Sequence, residues 1–221
     1  MVRLEKVVVQ RGQSPLLGPV SLTLPGAGVT AVMGPNGAGK TTLMRVMHRL
    51  ERPKSGRVSW ERQLKQSFVF QRPVLLRRSV RENLALPLDL AGLSDAARVE
   101  AMAARLGLTG LLDAHAPRLS GGEAQKLALG RALITEPEVL FLDEPTANLD
   151  APTVQDIEAL LGEEAAKGTR LLISTHGARQ ARRLASEVVW VEGGVAHGPV
   201  PADAFFADPP ANARAYLEAQ T

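Results

Sequence analysis

The stretch Gly28-Val29-Thr30-Ala31-Val32-Met33-Gly34-Pro35-Asn36-Gly37-Ala38-Gly39-Lys40-Thr41-Thr42 decides the fold. Gly28 to Met33 is a continuous small apolar run, the pattern of a strand buried on both faces. Gly34 to Thr41 fits G-x-x-x-x-G-K-[ST] completely. Thr41 to Leu50 then reads as a helix, stopped by Pro53 and Gly56. Strand, glycine-rich turn and helix in this order are the context the motif needs. The glycines let several backbone N–H groups point at one phosphate, and the helix N-terminus adds its positive dipole end. Lys40 is set to reach the β- and γ-phosphates, and the Thr41 hydroxyl to ligate Mg²⁺. The nucleotide-binding set is Gly34, Pro35, Asn36, Gly37, Ala38, Gly39, Lys40, Thr41 and Thr42. A nucleoside triphosphate is thereby expected, though not yet what its energy drives.

Two further segments bear on phosphate. Val139-Leu140-Phe141-Leu142-Asp143-Glu144 is an apolar strand ending in two carboxylates. Ligand sites in open α/β sheets lie outside the carboxyl ends of strands, so Asp143 is expected to meet the Mg²⁺ held by Thr41. Glu144 stands beside it, where it can polarise a water for in-line attack on the γ-phosphate. Leu119-Ser120-Gly121-Gly122-Glu123 opens another helix, with Ser120 as an N-cap and two glycines that leave N–H groups exposed.

The rest of the chain alternates strands with helices, which argues for a mostly parallel sheet covered on both faces. Short strands are expected at Leu4–Val9, Val20–Leu24, Val58–Trp60, Ser67–Phe70, Leu171–Ser174 and Val188–Val191. Ser79 to Leu112 is helical in pattern, with Ser94 as an expected N-cap and Gly107 as a stop. It reads as a helical subdomain, about 79–118, inserted into an α/β body formed by residues 1–78 and 119–221. Glu123–Ile134 is a further helix, and Asp150 caps one that runs to Lys167. There is no internal repeat.

The 221 residues are 45% hydrophobic and 22% charged, enough for a sizeable core and against a disordered polyelectrolyte. The net charge of +3 comes without a Lys/Arg-dominated tail, and no aromatic–basic interleaving suggests stacking on bases, so no nucleic-acid partner is expected. Zero cysteines exclude disulfides, thiol catalysis and Cys-ligated zinc. No apolar run approaches the ~20 residues that span a bilayer, and the charged start Met1–Lys6 does not read as a secretion signal. A cytoplasmic protein is expected, with any membrane role borrowed from a partner. His48, His115 and His197 show no metal-ligand spacing.

In order and spacing, these motifs resemble the ATP-binding subunits of ABC transporters. The resemblance covers nearly the whole chain. It takes in the phosphate loop, Phe70-Gln71 after a strand, the signature Leu119–Glu123, the acidic strand continuing as Pro145-Thr146, the turn Ala147-Asn148-Leu149-Asp150, and Ser174-Thr175-His176. It implies an α/β P-loop NTPase core with a mostly parallel sheet, an N-terminal antiparallel β part and the helical insert. It implies ATP and Mg²⁺ as cofactors, and a head-to-tail homodimer in the ATP-bound state. Ser120, Gly121, Gly122 and Asp150 would then contact the nucleotide in trans. Gln71 would join the Mg²⁺ shell with Thr41 and Asp143, and His176 would hydrogen-bond the γ-phosphate and orient the water, leaving Glu144, His176 and Gln71 as the catalytic set. Arg11 stands where the family has an aromatic to stack on adenine, Glu123 where Gln is commoner, and Gly177 where Asp is frequent. Partners implied are a transmembrane permease docking on the insert and the Gln71 loop and, indirectly, an extracytoplasmic substrate-binding protein. The location implied is peripheral, at the inner face of the cell membrane. The segment Arg72–Asn83 and the C-terminal Phe205-Phe206 … Tyr216-Leu217 resemble importers of oxyanions, tungstate foremost. Phosphate or polar amino-acid import, and export or lipid extraction, are the alternatives.

Overall fold

The computed structural model describes residues 1–12 and 14–219. The chain begins with β1 (Val2–Arg11) and β2 (Ser14–Leu24), an antiparallel pair, followed by β3 (Val29–Met33) and α1 (Lys40–His48). β4 (Ser55–Trp60) returns to β1 and completes a three-stranded antiparallel sheet ordered β2-β1-β4. β5 (Gln66–Val69) then enters a second sheet. Next come α2 (Val80–Leu90), α3 (Ala96–Arg105) and α4 (Gly121–Leu133), with short 3₁₀ turns between α3 and α4. The α/β alternation resumes with β6 (Val139–Asp143), α5 (Ala151–Ala166), β7 (Arg170–Thr175), α6 (Ala178–Leu184) and β8 (Glu187–Glu192). β9 (Val195–Pro201), α7 (Ala202–Ala207) and α8 (Ala211–Glu218) close the chain. The second sheet is ordered β5-β6-β7-β3-β8-β9, parallel except for the antiparallel edge strand β9. This is the expected α/β core with an antiparallel N-terminal sheet and a helical insertion.

Every residue of β3, β6 and β7 is buried, as expected of parallel strands covered on both faces. α1 packs Leu43, Met44 and Met47 between the two sheets. On the opposite face, α2, α3 and α4 share one apolar cluster with α5 and the sheet, through Leu84, Met102, Leu106, Leu127 and Ile157. Their close approach needs Gly130, where a Cβ would lie 2.4 Å from Leu106 Cδ1.

Two boundaries differ from the sequence expectation. The helical stretch is broken at Leu90, and α3 is capped by Asp95, not Ser94. Asp95 has the extended backbone of a cap and accepts the Arg98 N–H at 3.0 Å, while the Ser94 hydroxyl donates to Asp89. β9 and α6–α8 were not foreseen as elements. β9 carries Gly198 and Pro199, which read as turn signals, but an edge strand tolerates them.

Register places the site. Val32 pairs with Ser174 and Ser174 with Asp143, so three strands end in one row. Val69 pairs with Leu142, which brings the segment after β5 to the same edge.

Candidate functional site

The loop between β3 and α1 is shaped by close backbone approach. Gly34 has φ 149°, and a Cβ there would sit 1.9 Å from the Val191 carbonyl oxygen. No side-chain hydrogen bond caps α1 at Gly39, and no acidic residue stands in its first turn. An uncapped helix start with an unanswered dipole is suited to an anion.

Lys40 is buried at the foot of this loop, 6% exposed. Its Nζ donates to the carbonyls of Gly34 at 2.8 Å and Pro35 at 3.0 Å, and lies 3.9 Å from Glu144 Oε1. Burial pushes its pKa below the usual lysine value, partly opposed by the charges of Glu144 and Asp143. A phosphate in the loop would add an anionic partner to this buried cation.

Beside it, the Thr41 hydroxyl lies 2.9 Å from both Asp143 oxygens. Ser174 Oγ donates to Asp143 Oδ1 at 2.6 Å and accepts the Glu144 N–H at 2.9 Å. In the sequence Ser174 stood only within Ser174-Thr175-His176, without a role of its own, because its contacts with Asp143 and Glu144 come from strand register. Thr41 and Asp143 offer hard oxygen donors at one point, a set that fits Mg²⁺, which takes one or two protein oxygens and completes its shell with phosphate and water.

Glu144 holds a left-handed backbone, φ 45°, a conformation that costs a non-glycine residue on the order of 1 kcal/mol. This turn aims its carboxylate back over the strand ends. Gln71 Nε2 donates to its Oε2 at 3.1 Å, and His176 Nδ1 lies 3.4 Å from the same oxygen. Lys40, Thr41, Gln71, Asp143, Glu144 and His176 are thus brought together from four segments. The cluster joins a cation, a metal-type oxygen pair and a carboxylate held by two polar side chains. Such a set can bind a polyphosphate and activate a water.

The other expected residues lie elsewhere. Ser120 caps α4 in a complete capping box. Its N–H and hydroxyl both donate to Glu123 Oε2, at 2.8 and 2.7 Å, and its oxygen accepts the Glu123 N–H. The Ser120 bonds hold the Glu123 carboxyl below its usual pKa. Gly121 is exposed, with open space around it. Asp150 caps α5 by accepting the Thr153 N–H at 2.8 Å. Arg11 is exposed at the end of β1, in register with Ser14. Within this chain, the hydrogen bonds of Ser120 and Asp150 are to their own helices, not to the Glu144 cluster.

A second feature is an apolar groove of about 470 Å³ beside Gln71, bordered by Phe68, Phe70, Pro73, Val74, Pro87 and Arg131. Val74 is 70% exposed, and its carbonyl accepts from Arg131 Nη1 at 2.6 Å. Among the described residues, no helix is long and apolar enough to cross a membrane.

Residues 17–147 match the family model described as ABC transporter. The tungstate uptake system ATP-binding protein TupC of Peptoclostridium acidaminophilum is 39% identical over 194 residues, spanning 83% of this chain and 90% of that protein. The thiamine import ATP-binding protein ThiQ of Cereibacter sphaeroides is 37% identical over 234 residues, spanning 98% and 99%. A solved dimeric ATP-binding cassette in a post-hydrolysis state, bound to ADP and Pi, superposes with a TM-score of 0.82 at 25% identity, covering 91% of this chain and 99% of the other.

Proposed function

The chain belongs to the ABC transporter family as an ATP-binding, ATP-hydrolysing subunit of importer type, and from that premise we propose how its residues divide the work and which solute it serves. The uncapped start of α1 and the loop N–H groups receive the β- and γ-phosphates. Lys40 exchanges the Gly34 and Pro35 carbonyls for phosphate oxygens. Thr41 and Asp143, joined by Gln71, would hold Mg²⁺, which would supply charge neutralisation for the phosphates. Glu144 accepts the proton of the attacking water. Gln71 and His176 hold that carboxylate and the water in line, His176 also reaching the γ-phosphate. Arg11 stacks on the adenine. A second copy supplies Ser120, Gly121, Gly122 and Asp150 to the same nucleotide, so ATP holds a homodimer together. The observation that carries this reading is the Glu144 carboxylate, set beside Lys40, Gln71 and His176 at the strand ends.

The groove beside Gln71 receives an apolar segment of a transmembrane permease, which brings the chain to the inner face of the membrane. An extracytoplasmic binding protein delivers the solute to that permease. We take the solute to be an oxyanion such as tungstate; TupC, a tungstate uptake protein by its name, supports this. Thiamine is the second reading, supported by ThiQ, which is matched over nearly its whole length. Uptake of labelled tungstate by cells carrying the intact system is the test. Wild type is expected to accumulate tungstate, and a Glu144→Gln strain is not. Accumulation of thiamine in place of tungstate overturns the oxyanion assignment, and equal uptake by the variant overturns the role of Glu144.

A further inference from the structure

His176 is the first residue after β7, and only Gly177 separates it from α6. Its side chain is 55% exposed, so packing does little to orient the ring. Gly177 caps α6 without a side-chain hydrogen bond, and its N–H donates to Thr175 Oγ1 at 3.0 Å.

A long-range hold comes from α8. The Tyr216 hydroxyl, on α8, donates to the His176 carbonyl at 2.9 Å. The same oxygen lies 3.4 Å from the Gly34 carbonyl, which also accepts Lys40 Nζ at 2.8 Å. A hydroxyl has one proton, and the shorter contact takes it. The ring itself is fixed. It meets the Trp190 ring edge-on at 5.1 Å, and Trp190 is buried on β8, in register with Met33 just before Gly34. Ala213 and Leu217 anchor α8 in the same apolar cluster. The hydroxyl is thus presented from a rigid support to the two main-chain carbonyls that flank the nucleotide cluster.

We propose that Tyr216 is a positioning residue for ATP hydrolysis: its hydroxyl fixes the backbone of His176 relative to the phosphate loop, so that the imidazole stays beside Glu144. This rests on the reading of His176 given above. A tether of this kind acts on the chemical step more than on ATP binding, because Lys40 and the loop N–H groups bind phosphate without it.

The test is steady-state ATP hydrolysis by the full chain as wild type, Tyr216→Phe, His176→Ala and the double variant, with unfolding midpoints measured alongside. Phe keeps the ring against Trp190 and removes only the hydroxyl. We expect kcat to fall about fivefold in Tyr216→Phe, with KM for ATP within about twofold, as losing one ordinary hydrogen bond that positions a group at the site predicts. His176→Ala falls by roughly 100-fold, and the double variant matches His176→Ala alone. Unchanged kcat in Tyr216→Phe, while His176→Ala is impaired, overturns the tether and leaves the role of His176 standing. So does a further fivefold loss in the double variant, since the hydroxyl would then act through something else. Unchanged kcat in His176→Ala overturns the reading of His176, and the tether with it.

Discussion

At the residue scale, the site depends on small groups that hold charged ones. Ser174 joins Asp143 to the backbone of Glu144, and no other described side chain bonds both. Replacing it with Ala removes two hydrogen bonds, while the Glu144 N–H keeps the Ser174 carbonyl at 3.2 Å and Asp143 keeps the Thr41 hydroxyl; at the net worth of an ordinary hydrogen bond the loss is about 1–3 kcal/mol. For a chain of this size the unfolding midpoint is expected to drop by roughly 2–4 °C per kcal/mol. Hydrolysis should fall about tenfold as Glu144 loses its aim. A calorimetric scan with a turnover assay on Ser174→Ala checks both; a variant with wild-type midpoint and rate contradicts the assignment. Lys40, Thr41, Asp143 and Glu144 were legible in the sequence because their motifs are local and each residue type has a chemical reason. Ser174 and Tyr216 were not. The first acts through strand register and the second across 40 residues, and neither distance leaves a pattern in a linear reading.

At the element scale, α4 and α5 answer their helix dipoles from within and α1 does not. α4 and α5 carry their own carboxylates, Glu123 and Asp150, whereas α1 has neither cap nor acid. α6 and α8 also start without a side-chain cap or an acid, so what singles out α1 is the glycine loop and the Lys40 amine beside its open end. Both carboxyls titrate below their ordinary values of 4.5 and 3.8, Glu123 chiefly through the Ser120 hydroxyl and Asp150 chiefly through the Thr153 N–H. A depressed folded pKa gives stability that is full above the unfolded value and lost as pH falls through the folded one. Unfolding midpoints from pH 6 to pH 3 are therefore expected to fall less steeply in a Glu123→Gln, Asp150→Asn variant than in wild type. An identical acid slope would mean that these caps contribute nothing through ionisation. The apolar strands and capped helices were readable from periodicity and cap residues. β9 was not, because Gly198 and Pro199 read locally as breakers while the edge of the sheet tolerates them. The cap of α3 moved from Ser94 to Asp95, since both types cap helices and only the backbone geometry chooses.

At the scale of the whole molecule, the signature residues and the Glu144 cluster belong to different parts of one chain. Ser120 stands at the start of α4, on the side of the helical insert, and spends its hydrogen bonds on its own helix. The cluster sits at the sheet edge, formed by β3, β6 and β7 with the segment after β5. In the proposed head-to-tail homodimer, the signature of one copy meets the cluster of the other. The sequence suggested this division through its motifs, but the groove beside Gln71 emerges only when β5, α2 and α4 are packed together. In the proposed reading, Glu144 drives hydrolysis of an ATP bound by the phosphate loop. Single-turnover release of phosphate by the full chain, with ATP affinity measured on the same samples, tests it most directly. Glu144→Gln is expected to bind ATP within a few-fold of wild type and to release phosphate roughly 10²–10⁴-fold more slowly; phosphate release at the wild-type rate would contradict it.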